Sequence, residues 1–170
     1  MVLSQEALEK IISMAPEEND HWDFKLQWYK KNDRNNLLLD IINMVNTPHH
    51  DDCYIIIGVD DDTGDIVGVK SNTGRMNRQN LQDFLRNKPF AQNFYPLTDV
   101  KRYTVYSPTE GKNVKIDVII IFNENNGDKC SQKIRRFIRN DNNKWQYERN
   151  YETDEPLFEK NKQLYIKEIL

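Results

Sequence analysis

The chain has 170 residues, 38% of them hydrophobic and 30% charged, with a formal net charge of −3. That length fits one domain with a sizeable core. The slight acidity excludes a protein that holds nucleic acid by bulk positive charge, so any such contact must come from local basic patches or a metal site. Cys53 and Cys130 fit no zinc spacing and no disulfide framework, and both read as reduced thiols. Residues 1–16 carry Glu6, Glu9 and Lys10 and lack the apolar core of a signal peptide. The longest apolar runs, 54–59 and 118–122, are too short to span a bilayer. A cytoplasmic protein with no membrane partner is expected.

In chain order, Ser4 is an N-cap for a helix over 4–14, with Leu8, Ile11 and Ile12 on one face, and Pro16 stops it. After the acidic stretch 17–20, Trp22, Phe24, Leu26 and Trp28 alternate with Asp23, Lys25 and Gln27. Period two predicts a half-buried strand over 22–29. Asn32 or Asp33 opens a helix to Val45, with Leu37, Leu38, Ile41, Ile42 and Val45 as its buried stripe, and Pro48 closes it. Residues 53–59 form a continuous β-branched run, which predicts a strand covered on both faces. Asp61, Asp62, Thr63 and Gly64 then turn the chain into a hairpin partner over 65–69. Further on, the pattern predicts a helix over 77–87 and strands over 102–106 and 114–122. A hairpin of 133–139 with 144–149 and a closing helix over 157–169 follow. The irregular mixture indicates an α+β fold, with helices packed on a mixed, mostly antiparallel sheet, as a single domain over 1–170 with its core about 17–142.

Strand geometry puts Asp23 and Lys25 on one polar face. The carboxylate can hold a divalent cation, and the ammonium can stabilise charge on a phosphate. Glu18, five residues upstream, can fold over the same face. Asp60 ends the buried strand, and Gly58 would leave space beside it. Three converging carboxylates repel one another unless Mg²⁺ or Mn²⁺ joins them. The plainer alternative is a solvated strand face beside an acidic turn, since Asp-x-Lys triplets are common by chance.

The run Glu18-Asn-Asp-His-Trp-Asp23-Phe-Lys25 resembles the E-x4-E-F-K signature of the Schlafen AlbA-like domain family. The helix end Asn43-Met-Val-Asn46-Thr47 is similar to the family's A-F-A-N-T. Ile57-Gly58-Val59-Asp60-Asp61, followed by Gly64 to Val69, resembles its I-G-V-D-D…V-x-G. Phe137-Ile-Arg139 resembles its late Y-x-R strand. The resemblance implies a single Schlafen/AlbA-like lobe and a metal-dependent endoribonuclease acting on structured RNA such as tRNA, with DNA as another polymer the family binds. By position it implies Glu18, Asp23 and Asp60 as Mg²⁺ or Mn²⁺ ligands and catalytic carboxylates, with Asp61 competing for the third place and Lys25 as the motif lysine. Asp23 stands where the family has Glu. A homodimer would complete the two-lobed cleft of such nucleases. Family members that bind nucleic acid without cutting it keep a non-catalytic or regulatory module as the rival reading, and a protein–protein adaptor as a third.

Lys30, Lys31 and Arg34 follow the Asp23 strand, Arg75 and Arg78 precede the third helix, and Lys133, Arg135, Arg136 and Arg139 concentrate on the late hairpin. With Trp145 and Tyr147 interleaved, that hairpin suits phosphate contact and base stacking, or simply forms a solvated face. His49, His50, Asp51, Asp52 and Cys53 offer metal-ligating chemistry, but adjacent residues on an extended chain diverge, so a solvated loop is expected. Asp117 beside Lys115 reads as a surface ladder pair.

Overall fold

The computed structural model describes residues 3–45, 49, 51–88 and 96–122, together with the backbone of 136–139 and 145–148. Helix α1 (Gln5–Ile12) starts where expected, because the Ser4 side chain accepts the Ala7 N–H at 3.1 Å. Strand β1 (Trp22–Lys25) is followed by a 3₁₀ turn (Lys31–Asp33) and α2 (Arg34–Val45). Then come β2 (Cys53–Ile57), α3 (Arg78–Arg86), β3 (Thr98–Ser107) and β4 (Lys112–Ile121). Asn77 and Asn80 close a reciprocal capping box at the start of α3.

The sheet has the order β1-β2-β4-β3. The β1–β2 pair is parallel, with Trp22 against Tyr54 and Lys25 against Ile57, and the other pairs are antiparallel. This is the mixed α+β architecture expected. β5 (Arg136–Arg139) and β6 (Trp145–Glu148) form a separate antiparallel hairpin, as the pattern predicted. β5 comes within 8 Å (Cα–Cα) of α2. The expected helix over 157–169 lies outside the described residues, as do Lys133, Arg135 and the side chains of Arg136 and Arg139.

Each face of the sheet carries its own core. Ile55, Ile57, Ile119 and Ile121 pack under α2 and α3, against Leu37, Ile41, Leu81 and Leu85. Phe24, Ile56, Val118 and Ile120 pack against Leu8 and Ile12 of α1. Burying both faces of β2 explains its run of consecutive isoleucines, Ile55 to Ile57. Each of these wholly buried side chains contributes about 1.5–3 kcal/mol.

β1 is shorter than the alternation implied. The chain bends after Lys25, Leu26 is 41% exposed, and Trp28 joins the α2 side, opposite Phe24. A polar contact outcompetes the ladder here. The Gln27 amide donates to Gly68 O and accepts from Lys70 N–H, both at 2.9 Å, in place of backbone pairing. Gly58 leaves no open space. At φ 111°, a Cβ there would lie 2.8 Å from Ile116 Cδ1 and 3.0 Å from the Gly68 backbone. Two chain segments cross at this point, and only glycine permits it.

Candidate functional site

The segment 17–22 folds back on itself before β1 begins. Asn19 Oδ1 accepts the N–H groups of His21 and Trp22 at 2.8 and 3.1 Å, and the Trp22 indole donates to Glu17 O at 2.9 Å. The tight loop carries Glu18 over the strand, where its carboxylate accepts the Phe24 N–H at 3.1 Å. Asp23 and Lys25 lie on the α2 face of β1. The ammonium sits 3.1 Å from Asp23 and 3.5 Å from Asp40, which reaches in from α2. The Tyr29 hydroxyl donates to Asp40 at 2.5 Å, and the Lys25 ammonium stands 5.9 Å from the Tyr29 ring.

This edge of the sheet is electrostatically crowded. Burial, together with a hydrogen bond shared with Glu18, pushes the Asp23 carboxyl up to about 6, against the pull of Lys25. Burial also raises Asp40, although Tyr29 and Lys25 draw it back. Burial works against the Lys25 ammonium, but Asp40 and Asp23 outweigh it and hold the group charged. Burial and Asp40 keep the Tyr29 hydroxyl protonated. The Asp23 carboxyl therefore ionises less readily than an ordinary carboxylate.

The structure thus brings Glu18, Asp23 and Lys25 together and adds Asp40. It holds Asp60 elsewhere. Asp60 Oδ1 accepts the N–H groups of Asp62 and Thr63 at 2.8 and 3.0 Å, and these bonds keep its carboxyl below the usual range. The turn it caps packs on Ala15 and Pro16, so closely that a Cβ on Gly64 would lie 2.6 Å from Ala15 O. Asp61 is exposed on the same turn. Lys30 and Lys31 are exposed beyond β1, while Arg34 is half-buried, and its Nε has no partner among the described residues. Arg75 is half-buried and Arg78 exposed.

A second cluster appears at the start of the parallel pair. Asp20, His21 and His49 offer ligand atoms that all lie within 4.8 Å of one another, a set that could hold a metal ion. Among the described residues no other group of three His, Cys, Asp or Glu side chains converges this way. His21 sits between Asp20 (3.1 Å) and Asp51 (3.2 Å). His49 Nε2 donates to Asp20 O at 2.8 Å, and its Nδ1 accepts the Asp51 N–H at 3.2 Å. The two rings stack at 3.9 Å with 2° between their planes. Lone pairs in parallel rings do not point at one atom, so a shared ion requires one ring to turn. The 49–53 loop does not merely face solvent: His49 is tied to residues upstream of β1, and Cys53 is buried in the core.

Asp117 also departs from expectation. It is fully buried rather than one of a surface ladder pair. Its carboxylate accepts from Trp28 Nε1 (2.8 Å), Arg75 Nε (3.0 Å), Arg102 Nε (2.8 Å) and Arg102 Nη2 (3.0 Å). Burial would raise this carboxyl, yet the hydrogen bonds from Arg102, Trp28 and Arg75 hold it below the usual range.

The family profile for Schlafen, AlbA_2 matches residues 18–148. The chain belongs to the Schlafen AlbA_2 family. The matched span begins at Glu18, takes in the Asp23–Lys25 strand and the buried sheet, and ends on β6. No curated protein matches the chain. Family membership points to a nucleic-acid-related function. No helix among the described residues is long and apolar enough to cross a membrane.

Proposed function

We propose that this Schlafen AlbA_2 chain is a metal-dependent endoribonuclease acting on structured RNA such as tRNA. One observation carries the reading: the Glu18–Asp23 carboxylate pair beside a charged Lys25 on the edge strand of the family domain. Glu18 and Asp23 would hold Mg²⁺ or Mn²⁺, which supplies Lewis-acid stabilisation of charge at a phosphodiester. Lys25 stays protonated between Asp23 and Asp40 and can exchange one of these partners for a phosphate oxygen. Tyr29 fixes Asp40 and so orients the ammonium. Asp60 Oδ1 is taken up by the turn amides it caps, so a third carboxylate from this turn would have to ligate through Oδ2 and move toward the pair. Lys30, Lys31 and Arg34, with the basic β5–β6 hairpin, are the proposed RNA contacts. A homodimer in the cytoplasm would supply the second lobe of the cleft.

The test is incubation of the purified chain with total tRNA and Mn²⁺. Cleavage that disappears with Asp23→Ala supports the proposal, and no cleavage, or equal cleavage by that variant, sinks it. Asp60→Ala decides whether the turn carboxylate takes part.

The capped position of Asp60 favours one alternative, a non-catalytic nucleic-acid-binding module. That reading predicts salt-sensitive binding that survives Asp23→Ala but not loss of Arg135, Arg136 and Arg139.

A further inference from the structure

The node around Asp117 carries more charge than the fold needs. One buried carboxylate is neutralised by one guanidinium, yet two are present, half-buried, with side-chain exposures of 29% for Arg75 and 35% for Arg102. A second cation adds desolvation and like-charge repulsion without neutralising anything, and replacing such a buried ionic group by apolar side chains is often neutral or stabilising. What the arrangement does supply is two arginines held in fixed positions. Arg102 faces Asp117 directly across the β3–β4 register and grips it through Nε and Nη2. Arg75 arrives from the segment before α3 and uses only Nε. Arg102 Nη1 and both terminal nitrogens of Arg75 have no partner among the described residues. Guanidinium nitrogens presented in a fixed fork match phosphate oxygens and lose little entropy on binding.

The surroundings add to the positive charge. Arg78, at the first residue of α3, is 65% exposed and 4.0 Å from Asp99. Lys115 stands exposed two pairs along the ladder from Arg102, bonded to Thr104. The node is also aligned with the acidic centre. Lys25, Ile57, Asp117 and Arg102 form one row across the sheet. Three strand spacings separate the Lys25 and Arg102 backbones by about 14 Å.

We propose that Asp117 holds Arg75 and Arg102 as a preformed clamp for the phosphodiester backbone of a nucleic acid, remote from the Glu18–Asp23 pair. The clamp rests on the nucleic-acid reading above and names its anchoring site. It explains how an acidic chain grips a polyanion: one rigid pair of arginines replaces a broad basic surface. Asp117 touches no ligand and acts by positioning.

The experiment is fluorescence anisotropy of a labelled stem–loop RNA with the full chain in EDTA, so that nothing is cut, at several NaCl concentrations. Arg75→Gln leaves Asp117 with Arg102 and Trp28 as partners, so its fold should persist, which thermal unfolding checks. Arg75→Gln and Arg102→Gln should each weaken binding roughly 5- to 10-fold and reduce the salt slope by about 0.7–0.9, the loss of one phosphate contact. Lys10→Gln, on the exposed side of α1, should change neither. Tight wild-type binding with an unchanged slope in folded Arg75→Gln overturns the clamp and leaves the nucleic-acid reading standing. No wild-type binding to the RNA or its DNA counterpart overturns both. Competition by poly-glutamate as strong as by RNA, lost in the same variants, overturns nucleic acid as the ligand.

Discussion

Asp23 and Asp117 lie on the same face of one sheet, two strands apart, yet their surroundings drive them in opposite directions. Asp117 is wholly buried and accepts four hydrogen bonds, three of them from guanidiniums, and its carboxyl stays below the usual range. Asp23 is less buried but shares its space with Glu18, and its carboxyl rises to about 6. Burial alone does not set a carboxylate's behaviour; the donors aimed at it do. The satisfied acid is an anchor. The acid left short of positive charge is where the proposed function places its cation.

The largest effect expected from breaking this contrast is at Asp117. Asp117→Ala leaves two arginines and an indole N–H without their acceptor and should cost about 3–5 kcal/mol in urea unfolding. Asp23→Asn should do the reverse. In the absence of metal it should raise stability at pH 7–8 by up to about 3 kcal/mol, since it removes a carboxylate that ionises less readily in the folded chain than in the unfolded one. The same asymmetry sets the pH dependence. For Asp23 the folded value exceeds the unfolded one, so its contribution is full below about pH 4 and is lost as pH rises to about 6. For Asp117 the folded value is depressed, so its contribution is present above the ordinary carboxylate range and is lost on acidification. Metal-free unfolding from pH 3 to 8 should show the falling limb between pH 4 and 6 in the wild type and not in Asp23→Asn. A smaller change is expected from Tyr29→Phe. Losing the hydroxyl that donates to Asp40 should cost about 0.5–1.5 kcal/mol and leave the Glu18–Asp23 pair in place, read by unfolding and by Mn²⁺ titration.

Much of the frame was legible in the sequence because each element carries its own local signal. Ser4 announced the first helix, the apolar run of 53–59 gave β2, and Glu18, Asp23 and Lys25 lie together as their spacing allowed. What was missed depends on distant neighbours. Alternation carried the first strand to residue 29, but it cannot see Gln27 leaving the ladder for Gly68 and Lys70, or Trp28 turning to Asp117. Asp40 showed one signal, being the sole acid of α2, set between the buried Leu38 and Ile41. His21 and His49 meet because β1 and β2 are parallel, which puts the residues before both strands side by side. The residues of the 49–53 loop alone carry no sign of this pairing. Asp117 and Arg102 pair across a ladder whose register is fixed only by the folded sheet.

The most direct test is a calorimetric titration of Mn²⁺ into the wild type, Asp23→Asn and His49→Ala at pH 7.5. If the acid pair is the metal centre, the wild type and His49→Ala bind an ion and Asp23→Asn does not. Undiminished binding by Asp23→Asn, or binding lost only in His49→Ala, would contradict the account by moving the metal to the stacked histidines.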